Sequence, residues 1–197
     1  GGPRKISPAR AWWNFLNVLS GEDPLRFGEA AKLPLRAALN WLAWRKDEIK
    51  KQNIEVDVLL GPEISKEIWQ LFYQLYERTY AKRNGTRGYL TQEFFERIAT
   101  TMPEQIAMSV ANQNGRPIAC ALYLFDSHSL YGRYWGSLGE FPFLHFELCY
   151  YRGIELAIKM GLQRYDAGAQ GEHKLVRGFE PIKTHSLHWI RHPEFRK

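Results

Sequence analysis

The sequence has little cysteine and no long apolar run. Its two cysteines, Cys120 and Cys149, lie in apolar segments with no C-x-x-C pair. A disulfide framework or a cysteine-based zinc or redox site is therefore not expected. Both read as buried free thiols of a reducing compartment. No apolar stretch nears the ~20 residues a bilayer-crossing helix needs, and no secretory signal is visible, so the expected location is cytoplasmic. His173, His188 and His192 are irregularly spaced and make no metal site. There is no internal repeat, no low-complexity segment and no nucleic-acid-binding motif, and DNA is not an expected partner. The chain also opens Gly1-Gly2-Pro3 without methionine, which suggests a fragment or a processed product.

What is abundant is aromatic and basic. Aromatics make up 14% of the 197 residues, and the net charge is +6. The charge is uneven. Residues 1–51 carry ten Lys/Arg against five Asp/Glu, whereas residues 52–197 carry seventeen against sixteen. Four of the seven tryptophans (Trp12, Trp13, Trp41, Trp44) also fall in the first part. We read 1–51 as a basic, Trp-rich helical extension or the remnant of a preceding domain, with helices near 9–19 and 35–51. Such helices suit a neighbouring domain or a peripheral membrane contact. Residues 52–197 read as the main domain.

From residue 54 the pattern is orderly. Glu55 to Leu60 alternates as a strand, with Val56, Val58 and Leu60 on one side. Ser65 caps a helix carrying Ile68, Phe72, Leu75, Tyr76 and Thr79 at helical spacing. Thr91 caps another, with Phe94, Phe95, Ile98 and Met102 inward, closed by Pro103. Three strands follow as a meander: 105–113, the Asn114-Gly115 hairpin turn, 116–125, and 129–135. Leu144 to Met160 reads as one helix stopped by Gly161. A short strand at 163–167, a helical turn and a last strand at 184–191 complete the domain. The helix between the third meander strand and the 163–167 strand implies a parallel pair. The expected class is α/β, a mixed central sheet flanked by helices.

The densest chemistry follows that short strand: Gly168-Ala169-Gln170-Gly171-Glu172-His173-Lys174-Leu175-Val176-Arg177-Gly178-Phe179-Glu180-Pro181. A turn at the carboxyl end of a strand is where open α/β sheets place ligands. Lys174 and Arg177, three apart, suit an anionic group.

These residues, with Leu130-Tyr131-Gly132-Arg133-Tyr134-Trp135-Gly136, Leu144-His145-Phe146-Glu147-Leu148-Cys149-Tyr150-Tyr151 and Thr184-His185-Ser186-Leu187-His188-Trp189, resemble the FemAB-like peptidoglycan biosynthesis/recognition family of N-acyltransferases. The resemblance covers about residues 45–197. It implies the Gcn5-related N-acetyltransferase (GNAT) fold, in which the parallel pair splays apart and the gap holds the acyl donor. Fem-type relatives carry two such halves, and this chain resembles the second; a missing first half or a partner copy would complete a composite site. The expected reaction is acyl or aminoacyl transfer to an amine, with a cell-wall peptide precursor as one acceptor. The alternative is a non-catalytic module that binds such a ligand.

Acyl transfer needs oxyanion donors, a base and an acid. The resemblance places the donors among the backbone amides near Tyr134–Gly136, where Gly132 and Gly136 let the strand bulge. Tyr131 or Tyr134 would supply the acid. Strand alternation sends these two to opposite faces, so at least one is packing. His145, Glu147, Glu172 and His173 are the candidate bases. Arg133, a charge in a central strand, requires a partner, Glu172 or Glu147. Gln170, Gly171, Lys174 and Arg177 would bind substrate, as would Trp135 and Gly136. GNAT enzymes hold the coenzyme A pyrophosphate on a basic, glycine-rich loop before the central helix. Here that place is Gly136-Ser137-Leu138-Gly139-Glu140-Phe141-Pro142-Phe143, without a basic residue. Acyl-coenzyme A therefore competes with aminoacyl-tRNA as the expected donor, and no metal is expected.

Overall fold

The structure, a computed structural model, describes residues 47–168, 174, 179, 182–183, 185–192 and 194. The expected helices before residue 47 lie outside these, as do Gln170, Gly171, Glu172, His173 and Arg177. Residues 47–51, assigned above to the extension, form a helical turn whose Ile49 is buried in the core.

Among the described residues five strands form one sheet in chain order: β1 (Ile54–Leu60), β2 (Ile106–Gln113), β3 (Arg116–Phe125), β4 (Ser129–Ser137) and β5 (Arg164–Asp166). The first four are antiparallel neighbours, and β5 lies parallel to β4. The Asn114-Gly115 turn has φ of 51° and 75°, the left-handed pair that matches the twist of a tight hairpin. The β3–β4 turn is held by Asp126, whose Oδ1 accepts from the amides of His128 and Ser129, each at 2.7 Å.

Helices α1 (Lys66–Asn84) and α2 (Gln92–Thr101) cover one face. Each starts where the sequence places it. The Ser65 hydroxyl accepts from the Ile68 amide, and the Thr91 hydroxyl accepts from that of Phe94. Helix α1 ends at Gly85, which takes φ 67°. On this face Trp69, Phe72, Leu75, Tyr76 and Phe95 pack against Ile106, Met108, Val110, Cys120 and Leu122. Burying side chains of this size stabilises by roughly 1.5–3 kcal/mol each. The other face packs Ile54, Ala107, Ala121, Tyr123 and Leu130 against helix α3, which spans 144–159.

Helix α3 is not uniform. It begins with Leu144–Phe146, widens into a π-helical turn at Glu147–Tyr151, and continues as Arg152–Lys159. The Arg152 amide bonds to the Glu147 carbonyl five residues back. The wide turn loosens the backbone carbonyls around it. The hydroxyls of Tyr123 and Tyr165 donate to the carbonyls of Leu148 and Cys149, respectively.

Four expectations need correction. Residues 185–190 are not a strand; Leu187 and Trp189 stand exposed, so no apolar face drives pairing with the sheet edge. The 163–167 strand shortens to Arg164–Asp166, because pairing with β4 stops at Tyr131↔Asp166. Phe94 is turned outward, since Phe95 alone of the two fits beneath Phe72 and Tyr76. Leu60 is exposed at the end of β1, where Leu59 packs on the α1 face instead.

Candidate functional site

Strands β4 and β5 run together for three residue pairs and then separate. Past that point β4 also carries a bulge. Ala121 pairs with Trp135 and Tyr123 with Gly132, so β4 spends three steps where β3 spends two. Arg133 and Tyr134 thus have no register partner on either neighbouring strand. An extra residue shifts the side-chain alternation by one. Tyr131 and Tyr134 consequently face the α1 side together, which corrects the expectation of opposite faces. The absence of side chains at Gly132 and Gly136 makes room here. A Cβ on Gly132 would lie 3.1 Å from the Tyr165 hydroxyl, and one on Gly136 only 2.5 Å from the Leu75 carbonyl oxygen.

A cleft of about 1090 Å³ opens at this divergence. It reaches both faces of the sheet, touching Tyr76 and Tyr80 of α1, Tyr134 of the bulge, His145 and Cys149 of α3, and Lys174. Among the described candidates, Arg133, Tyr134, Trp135, His145 and Lys174 line it, whereas Tyr131, Gly136 and Glu147 do not.

Each has definite surroundings. Arg133 is exposed, with its guanidinium 5.2 Å from the centre of the Tyr131 ring and Nη1 donating to the Gly132 carbonyl. It is not paired with Glu147, as the sequence suggested. Glu147 is buried and lies 3.0 Å from Nε of Arg152, five residues along the wide turn. The reason is the splaying of β4 from β5, which leaves Arg133 in solvent with no desolvated charge to balance. Its other expected partner, Glu172, is outside the described residues. The Tyr131 hydroxyl donates to Asp126 Oδ2 at 3.1 Å, at the β3–β4 turn. The His145 ring stands edge-on to Trp135 at 4.8 Å between centroids. Thr79 on α1 donates to the Trp135 carbonyl at 3.2 Å, tying that helix to the strand past its bulge. Lys174 donates to the Gly168 carbonyl at 2.7 Å; burial pulls its pKa down, opposed by the nearby Asp166. Burial likewise pushes the Cys149 thiol up, so it is no ready nucleophile.

The start of α3 lacks the small residues of an anion cradle. Phe143 caps it with φ 66° and no side-chain bond, and the Leu144 amide turns back onto the Phe141 carbonyl at 3.2 Å. A pyrophosphate cradle needs small residues and outward amides at that place. Glu140 there pairs with Lys82 of α1 at 2.7 Å. Among the described residues no cluster of His, Cys, Asp or Glu could hold a metal. None of the described helices is long and apolar enough to cross a membrane.

The sequence reading missed the α1 wall. Tyr76, Tyr80 and Arg83 recur at helical spacing, and Tyr89 follows in the α1–α2 loop; all four line the cleft. The signal was a pair of tyrosines four apart on α1; the sequence reading set Tyr76 among the apolar positions of that helix and did not single out Tyr80 or Tyr89.

Comparison with solved structures gives the fold. A predicted acetyltransferase with acetyl-CoA from Clostridium acetobutylicum superposes with a TM-score of 0.52 at 12% identity, covering 71% of this chain and 99% of that one. AAC(6')-Iy in complex with the bisubstrate analogue CoA-S-monomethyl-acetylneamine gives 0.50 at 13% identity, covering 70% and 98%. At such identities the shared property is the GNAT-like architecture. No curated protein matches the chain significantly. Residues 41–197 match the FemAB-like model described as peptidoglycan biosynthesis/recognition, and the chain belongs to that family.

Proposed function

We propose that the protein is a cytoplasmic N-acyltransferase that moves an acyl or aminoacyl group onto an amine held in the cleft, with a cell-wall peptide precursor as acceptor. The carrying observation is the bulged β4 edge facing the parted β5 across an open cleft, in a chain of a peptidoglycan biosynthesis/recognition family. The amides of the bulge, without strand partners, are the oxyanion donors in this reading. His145 is the described group suited to take the proton of the acceptor amine, and Arg133 and Lys174 hold anionic parts of donor or acceptor. Glu172 and His173 remain candidates for the same base role. The basic N-terminal segment docks a first half or a second copy.

The start of α3 bears on the donor. The 136–143 loop has no basic residue and puts Phe143 at the cap, which supports an aminoacyl ester such as aminoacyl-tRNA over acyl-coenzyme A. A thermal-shift panel of acetyl-coenzyme A, a long-chain acyl-coenzyme A and aminoacyl-tRNA tests this, since a ligand of the native state raises the melting point. The same cap favours a second reading, a recognition module that binds cell-wall peptide without turnover. Stabilisation by a cell-wall peptide with no transfer from any of the three donors would select it.

A further inference from the structure

The cleft holds more than a reacting amine and an acyl carbon. At about 1090 Å³ it lies at the top of the usual range for small-molecule sites, ~300–1,000 Å³. On its α1 side one ring stands apart. Tyr89, in the α1–α2 loop, lines the cleft and is nevertheless 70% exposed. Its ring meets that of Tyr80 at 89°, with 5.5 Å between centroids. In a perpendicular pair the edge of one ring meets the face of the other. At least one face of Tyr89 is therefore left to solvent.

The loop that carries this ring is pinned. The Leu90 amide donates to the buried Tyr76 hydroxyl at 3.2 Å, and a Cβ on Gly88 would lie 2.2 Å from the Tyr76 ring. A ring held in place before binding loses little freedom when a ligand arrives. Two polar side chains share the same wall. Arg83 and Asn84 end α1 and line the cleft, both exposed. Asn84 lies one turn past Tyr80 on the same stripe. Among the described residues no hydrogen bond or ion pair engages either side chain.

We propose that Tyr89 is the stacking platform of a saccharide subsite, which takes a hexopyranose ring of the acceptor. The proposal rests on the reading above of the acceptor as a cell-wall precursor, and it names a part of that acceptor away from the reacting nitrogen. A pyranose has an apolar face of axial C–H groups and a rim of hydroxyls. The face lies on Tyr89. The rim meets Asn84, which donates and accepts, and Arg83, which donates. An apolar side chain would leave both polar groups unused. A nucleobase has two apolar faces and is held best with both covered. Tyr80, at a right angle to Tyr89, cannot form the second wall of such a sandwich.

Calorimetric titration of the whole chain tests this with three ligands: a lysine-bearing cell-wall pentapeptide, the same peptide carrying an N-acetylated hexosamine at its amino end, and adenosine. The sugar should tighten binding to wild type about tenfold. Tyr89→Ala should abolish that gain, with the bare peptide as reference. The exposed ring costs little stability to remove. Tyr89→Phe and Tyr89→Trp should keep the gain, since the ring and not the hydroxyl carries the contact. In proton NMR spectra the axial protons of one sugar face should move upfield with wild type and Tyr89→Phe, but not with Tyr89→Ala. Equal binding of the two peptides by wild type, or a sugar gain that survives in Tyr89→Ala, overturns the subsite and leaves the acceptor reading standing. Adenosine that displaces the glycosylated peptide and needs Tyr89 to bind makes the platform a nucleobase site and also overturns the proposal. Wild type that binds neither peptide removes the acceptor reading, and the subsite with it.

Discussion

The Tyr165 hydroxyl donates to the Cys149 carbonyl, inside the wide turn of α3. Replacing Tyr165 with Phe keeps the ring and leaves a carbonyl in the core without that partner. The expected cost is about 1–3 kcal/mol, read from urea unfolding. Tyr123→Phe should cost less, because Ser109 Oγ also donates to the Leu148 carbonyl at 3.3 Å. Combining Tyr123→Phe with Ser109→Ala should then exceed the sum of the two single changes.

Gly136 sits under α1 with no space for a methyl group. Its Cβ would meet Leu75 at 2.5–2.6 Å, against both backbone and side chain. Gly136→Ala should destabilise by about 1–3 kcal/mol through overpacking. Gly139→Ala, with only the Phe141 ring at 3.4 Å, is its control and should stay within about 0.5 kcal/mol.

Much of the fold was legible because it rests on local chemistry. The Ser65 and Thr91 caps, the Asn114-Gly115 turn and the 116–125 strand each announce themselves in a few residues. The features that shape the cleft do not. A bulge at Arg133–Tyr134 depends on how β3 and β4 align, and a wide turn at 147–151 depends on Tyr123 and Tyr165 reaching across from the sheet. Strict alternation therefore put Tyr131 and Tyr134 on different faces. A charge in a central strand was read as needing a buried partner, and Glu147 was offered to Arg133 when Arg152 already held it.

Arg133 is exposed, so its removal should leave stability within about 0.5 kcal/mol. Under the transferase reading, Arg133→Ala should still lower acyl transfer at least tenfold. Unfolding curves and transfer rates on the same samples separate the two effects. Unchanged transfer would free Arg133 from any part in the site.

Asp126 supplies a pH signature. The amides of His128 and Ser129 hold its carboxyl below the usual carboxylate range. A depressed folded value means its stabilisation is present above the unfolded value, about 3.9, and is lost as pH falls through the folded one. Asp126→Ala should therefore narrow its gap to wild type as urea midpoints are compared from about pH 5 down to about pH 2. A gap that stays constant over that interval would show that the charge contributes nothing.

The wide turn of α3 gives that helix one residue more than regular winding would hold. A π turn takes up such a surplus locally, so the segments on either side keep their facing. Deleting a single residue between Glu147 and Tyr151 should therefore leave His145 against Trp135 and the packing of Arg152–Lys159 in place. What it would remove is slack: main-chain oxygens that two sheet tyrosines reach would be drawn back into the regular winding.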